Sequence, residues 1–135
     1  MRDEFEQYIH HRYKDLFDPY EQASVGIACG DGWFRLIDGL CSNILWHQQW
    51  LEKQNKPFKP VKVLQVKEKF GTLRFYTQGG DDYVNGLISM SETMSAHICE
   101  ECGDVGHKRG NGWIKVLCDK HAKDKDYLCE PYVEV

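Results

Sequence analysis

The chain has 135 residues, of which 41% are hydrophobic, 28% charged and 13% aromatic; that composition suits one globular domain with its own core and excludes a disordered, collagenous or low-complexity chain. Seventeen Lys and Arg stand against twenty-one Asp and Glu, a net charge of −4, so no basic excess is available to neutralise a long run of nucleic-acid phosphates. The opening MRDEFEQYIHHRY is charged and has no apolar core of an export signal, and no stretch approaches the roughly 20 apolar residues that span a bilayer. The expectation is a cytoplasmic protein without membrane contact.

In residues 3 to 17, Phe5, Tyr8, Ile9, Leu16 and Phe17 are set among charges, which predicts an amphipathic helix ending near Pro19. After a loop through Gly26 and Gly30, Asp31 is a candidate N-cap for a helix over about 32 to 53. Trp33, Leu36, Ile37, Leu40, Ile44 and Leu51 repeat along it by threes and fours, and Pro57 and Pro60 stop the run. Next, VKVLQVKEKFGTLRFYTQGG alternates with period two and predicts a hairpin reversing near Gly71. Leu64, Val66, Leu73 and Phe75 are expected to face the helices, with Lys67, Lys69, Arg74 and Tyr76 on the other side. Asp81 or Asp82 then caps a helix to about His97, in which Tyr83, Leu87, Met90 and Met94 are spaced four, three and four.

The most specific pattern is C-terminal. Cys99 and Cys102 form a C-x2-C pair, fifteen residues intervene, and Cys118 and His121 form a second pair. Two sulfurs on a tight turn relieved by Gly103 reach one ion, and a second pair completes a tetrahedral shell, a donor set suited to Zn²⁺. Gly106, Gly110 and Gly112 punctuate the interval, and the apolar run from Trp113 to Leu117 enters Cys118. A hairpin is therefore expected, followed by a helix that sets Cys118 and His121 on one face of its first turn. Four protein ligands leave no open coordination position, so the zinc, one per chain, is expected to be structural. Cys129 is the rival to His121 as fourth ligand. Cys41 reads as a core residue, and Cys29 could act as a nucleophile only beside a histidine such as His10, His11 or His47.

These segments combine as an α+β fold: two main helices and a β-hairpin over residues 1–98, continued by a treble-clef-like zinc finger and tail over 99–135, as one compact unit. The segments GWFRLIDGLC, VKEKFGTLRFYTQGG and CEECGDVGHKRGNGWIKVLCDKHA resemble those of small proteins encoded by phages and prophages. The resemblance covers roughly residues 31 to 123. It implies a C-terminal treble-clef finger with Cys99, Cys102, Cys118 and His121 as zinc ligands, a bacterial host cell as the setting, and binding to host machinery, antiviral defence included. It implies no reaction.

Three functions follow for weighing. The first is a zinc-stabilised protein-binding module, an inhibitor of a host or defence complex, for which four Trp and seven Tyr supply interface anchors. The second is nucleic-acid or nucleotide binding through Lys67, Lys69, Arg74 and Tyr76, with Lys108 and Arg109 added from the finger. Against it, residues 96 to 135 hold six Lys and Arg but eight Asp and Glu. The third is an HNH-like nuclease built on His107, Asn111 and His121, which needs a histidine free to act as a base, whereas His121 is claimed by the zinc pair. The non-enzymatic reading is preferred, with the partner, the oligomeric state and the binding face left open.

Overall fold

The computed structural model describes residues 1–17, 25–110 and 112–122. Its longest element is α2 (Phe34–Lys53), entered through a 3-10 turn at Asp31–Trp33. The predicted spacing holds: Trp33, Ile37, Leu40, Cys41, Ile44 and Leu51 are buried along one face. Asp31 does not cap the helix with its side chain. Its carboxylate instead accepts from the backbone N–H and the Nε of Arg2, both at 2.7 Å. Those bonds hold the Asp31 carboxyl below its ordinary pKa.

The N-terminal helix α1 (Asp3–Arg12) is shorter than the apolar pattern suggests. Tyr13, Leu16 and Phe17 lie beyond it in turns, yet all three are buried in the same core as Ile9. The Tyr13 hydroxyl donates to the carboxylate and backbone carbonyl of Asp38 on α2. The expected helix end at Pro19 lies outside the described residues.

The hairpin is β2 (Lys62–Lys69) with β3 (Thr72–Gln78), and a two-residue parallel strand, β1 (Ile27–Ala28), pairs with β2 on its other side. That makes a three-stranded sheet in the order β1-β2-β3, with β1 in the segment that the sequence pattern reads as a loop. A register shift lies between Val63 and Gln65. Here the Val63 N–H leaves the ladder and donates to the Leu16 carbonyl at 2.9 Å. The bulge corrects one expectation: Val63 is buried, and Leu64 is turned out, 49% exposed. Val66, Leu73 and Phe75 face the core as predicted.

The third helix, α3 (Asp82–Ser95), is capped by Asp81, whose Oδ1 accepts from the Val84 N–H at 3.0 Å. It packs between α2 and β3. Its buried residues are Val84, Ile88, Ser91 and Ser95, while Tyr83, Met90 and Met94 of the predicted apolar stripe are exposed and only Leu87 is partly buried against the core. The reason lies in β3, which is an edge strand. Its Leu73 N–H donates to Ser95 Oγ and its Phe75 N–H to Glu92 Oε2, both at 2.9 Å. An edge strand carries backbone donors that need partners, and α3 turns its polar side chains inward to supply them. Gln48 of α2 does the same for Val61, its Oε1 accepting that N–H at 2.7 Å.

A second, two-stranded sheet is formed by β4 (His107–Arg109) and β5 (Lys115–Leu117), antiparallel, followed by the single-turn α4 (Asp119–Ala122). No helix among the described residues is long and apolar enough to cross a membrane.

Candidate metal centre

The chain leaves α3 and makes a knuckle at 98–105. Ile98 and Val105 form an isolated antiparallel bridge, the Cys99 N–H donates to the Asp104 carbonyl at 2.7 Å, and the Gly103 N–H donates to the Cys99 carbonyl at 2.9 Å. Gly103 sits at φ 86, a left-handed conformation open to glycine without a Cβ clash. The knuckle therefore aims Cys99 and Cys102 the same way. Cys118 lies at the exit of β5, and one turn later the His121 N–H donates to its carbonyl at 3.1 Å, which puts the imidazole beside the thiol.

The four donor atoms of Cys99, Cys102, Cys118 and His121 lie within 4.8 Å of one another. Sγ of Cys102 and Cys118 are 3.7 Å apart, and Nδ1 of His121 is 3.8 Å from Cys99 Sγ and 3.2 Å from Cys118 Sγ. A regular tetrahedron with metal–sulfur bonds of about 2.3 Å has edges of about 3.8 Å. Two of the separations lie close to that edge and the Cys118–His121 one is shorter; the 3.7 Å between sulfurs far exceeds a disulfide bond of about 2.05 Å. The cysteines are free thiols. A single tetrahedral ion fits this cluster, with three sulfurs and the Nδ1 of His121 as its ligands. Glu101, to which the sequence assigned no role, has Oε2 3.9 Å from the other ring nitrogen of His121, on the side where a carboxylate orients a ligating histidine.

The thiols perturb one another in opposite directions. Burial raises the Cys118 thiol, but the His121 N–H, the His121 ring and the neighbouring thiols outweigh it and bring it down to about 7. At Cys102 the N–H of Asp104 lowers the value, yet burial and the Cys99 and Cys118 thiols win and push it up to about 12. Metal binding takes up thiolates and releases the protons that this crowding holds in place.

The knuckle is built into the body of the protein. Gly32 N–H donates to the Glu100 carbonyl at 2.7 Å, Gly30 N–H to Glu100 Oε2 at 2.9 Å, and the buried Trp33 Nε1 to the Ile98 carbonyl at 2.9 Å. A Cβ on Gly32 would lie 2.0 Å from the Cys99 carbonyl oxygen, so glycine alone permits this approach. Glu100 is buried, and burial, partly offset by the Gly30 N–H and Lys115, raises its carboxyl pKa.

The other nominated residues separate. Register pairs Lys67 with Arg74, Lys69 with Thr72 and Gln65 with Tyr76, so Lys67, Lys69, Arg74 and Tyr76 do share the outer hairpin face. Arg109 belongs to no basic surface: it is buried, its Nε donates to the Leu117 carbonyl at 2.9 Å and its Nη2 to Asp119 at 2.6 Å, bracing β4 against α4. His121 is held in the cysteine cluster, which removes it as a free base. Burial, reinforced by the Glu100 charge, pushes the Cys29 thiol up to about 12, the reverse of an activated nucleophile. His47 pairs with Asp81 at 2.7 Å and His10 stacks on Phe17. Cys129 and Asn111 lie outside the described residues.

Compared with known proteins, the chain matches no protein-family model, no curated protein and no solved structure.

Proposed function

We propose that this protein is a zinc-stabilised protein-binding module in the cytoplasm of a bacterial cell, whose knuckle, hairpin and short helix make a treble-clef-type finger with a structural Zn²⁺ on Cys99, Cys102, Cys118 and His121. Three thiolates and an imidazole are a donor set zinc favours, and four protein ligands leave no position for a substrate. The role of the ion is to hold rigid a segment whose own apolar cluster is Cys99, Leu117 and Cys118.

The observation that carries the binding reading is Phe70. It occupies, with Gly71, the two-residue turn between β2 and β3, at φ 52, and it is 71% exposed. Both turn residues have positive φ, a geometry for which Asn or Asp is the favoured first residue and a bulky aromatic is strained by about 1–3 kcal/mol. Among the described residues Phe70 lies outside the core cluster, with Lys69 Nζ 5.7 Å from its ring centroid. Gly71 packs directly against Ile114, and the next residue along, Trp113, is 67% exposed. Hairpin and finger thus present two aromatic anchors on rigid turns at one end of the molecule, the kind of residue that dominates interface energies. Lys67, Lys69 and Arg74 border them, which favours a partner with an apolar pocket rimmed by acidic groups. A host or antiviral-defence complex is the target class that the sequence resemblance implies.

Phe70→Asn separates binding from stability. It relieves the turn, so the melting temperature should rise by a few degrees, while a partner copurified by the wild type should be lost. A variant that keeps its partner overturns the reading. Zinc is tested on the same preparation by metal analysis, with one equivalent per chain expected.

A second reading, nucleic-acid binding, is favoured by the register that collects Lys67, Lys69, Arg74 and Tyr76. Fluorescence anisotropy with single-stranded oligonucleotides should then show an affinity falling with salt, with a log–log slope of about −0.7 per phosphate contacted, shallower in Lys67→Glu. Salt-independent or absent binding removes it.

A further inference from the structure

The outer surface of α2 and α3 has a property not used by the reading above. Along α2, residues 39–51 contain no Asp, Glu, Lys or Arg, and from 83 to 99 the single charged residue is Glu92, whose carboxylate is turned inward to the Phe75 N–H. On a chain with 28% charged residues, the two helices therefore offer an outer face sparse in charge, bordered by Lys56, whose Nζ lies 4.9 Å from the Trp50 ring centroid, and by Asp81, paired with His47 at 2.7 Å. That face is also aromatic and Met-rich. Trp46 is 58% and Met90 62% exposed, and Trp50, Tyr83 and Met94 are exposed beside them. The surface is continuous across the helix pair, since His47 stacks on Tyr83 at 4.2 Å and on Trp50 at 6.4 Å between ring centroids. Depletion of charge with enrichment of Trp, Tyr and Met is the composition of an interface core.

Spacing adds a second, independent sign. Gly39, Asn43, Trp46 and Trp50 follow one another by four, three and four on α2, and Tyr83, Leu87, Met90 and Met94 by four, three and four on α3. A 4-3-4 stripe presents knobs to a facing helix. Two glycines complete it, Gly39 half-buried and Gly86 exposed: a Cβ at either would meet nothing within 4 Å. Alanine would fit at both and is the better helix former, so within one chain glycine gains nothing there; space for a closely approaching helix is what it provides.

We infer that this face is the contact surface of a symmetric homodimer, in which α2 and α3 of one chain lie against α2 and α3 of a second copy in a four-helix layer. The sparsity of charge, one cation at Lys56 and one anion at Asp81, argues for a second copy. A charged partner would lose hydration on this face and gain little ion pairing in return, whereas a two-fold axis places the same charge-poor stripe against itself, residue for residue. It also leaves the −4 charge of each chain outside the contact. The area suffices: Trp46, Trp50, Tyr83, Met90 and Met94 alone expose roughly 500 Å², given 150–250 Å² for a whole aromatic side chain. With the small polar residues between them the face approaches the about 800 Å² per partner of a stable interface. The Phe70 and Trp113 end takes no part in this contact.

Sedimentation equilibrium of the full chain tests it. At 100 µM the wild type should run at twice the 15.8 kDa chain mass, in 0.05 and 1 M salt alike, and Phe70→Asn should do the same. The double variant Trp46→Glu with Met90→Glu should be monomeric with an unchanged far-UV spectrum. Gly39→Ala should raise helix stability while weakening the dimer at least tenfold. A wild type that stays at the single-chain mass at 100 µM overturns the proposal, and so does a dimer that survives the double substitution.

Discussion

The helical body and the cysteine-rich finger differ in how much apolar core they carry. In the body, Trp33, Ile37, Ile44, Val66, Leu73 and Val84 are buried together between three helices and a sheet. The finger has two short strands, a one-turn helix and an apolar cluster of Leu117 with Cys99 and Cys118. A core of that size does not offset the entropy of ordering its segment. Burial of side chains holds the body, whereas the finger gathers four donor atoms in an arrangement compatible with a metal ion, and the seam between them, at Gly30, Gly32 and Trp33, is made of hydrogen bonds to the knuckle backbone. The contrast teaches that damage should spread differently from each side.

The largest effect should come from the metal. Structural zinc contributes on the order of 10 kcal/mol to folding small finger peptides at neutral pH, so Cys99→Ser or prolonged chelation should abolish metal binding and the amide protection of the finger. Hydrogen exchange is the measurement: protection lost in the finger but kept in α2 would confirm the division, and full protection of the finger without metal would refute it.

Next comes the seam. Gly32→Ala forces a Cβ to within 2.0 Å of the Cys99 carbonyl, and since that neighbour is backbone the knuckle must move. A loss of about 3 kcal/mol is expected, read as a melting temperature about 10 °C lower. If the comparison is right, metal affinity weakens in the same variant, whereas an equal destabilisation with unchanged affinity would show that body and finger are energetically separate.

The smallest effect belongs to the body alone. Asp81→Ala removes the α3 cap and the partner of His47, at a cost of about 1 kcal/mol. Burial works against ionising Asp81, but the bonds from His47 and the Val84 N–H outweigh it and hold the carboxyl below its ordinary value. A depressed folded pKa means that its stabilisation is present above the unfolded value of about 4 and is lost as the pH falls below it. Thermal melts from pH 7 to pH 3 should therefore fall less steeply in Asp81→Ala than in the wild type, with metal content at pH 7 unaffected.

Much of this was legible because it is local. The spacing of Cys99, Cys102, Cys118 and His121 states a ligand set without any knowledge of distant contacts, the threes and fours of residues 33 to 51 state a buried helix face, and Asp81 is a cap readable from its position. Less legible was anything set by a partner far along the chain. Asp31 reads as a cap but is engaged by Arg2, and Arg109 reads as a surface cation but is drawn inside by Leu117 and Asp119. Strand β1 is two residues long and exists through its pairing with Val66 and Lys67. No local pattern marks it.

By itself, then, the sequence determined which segments are helical or extended and which four side chains come together in one cluster, since periodicity and ligand spacing are properties of neighbours. Tertiary structure decided which way faces turn. The register shift between Val63 and Gln65 turns Leu64 outward, and the edge-strand N–H groups of Leu73 and Phe75 bond Ser95 and Glu92 on the inner side of α3. The apolar stripe of α3 was left on the surface as a result. A buried backbone donor without an acceptor costs as much as a lost hydrogen bond, and meeting that requirement at an edge strand outweighed the gain from burying Tyr83, Met90 and Met94.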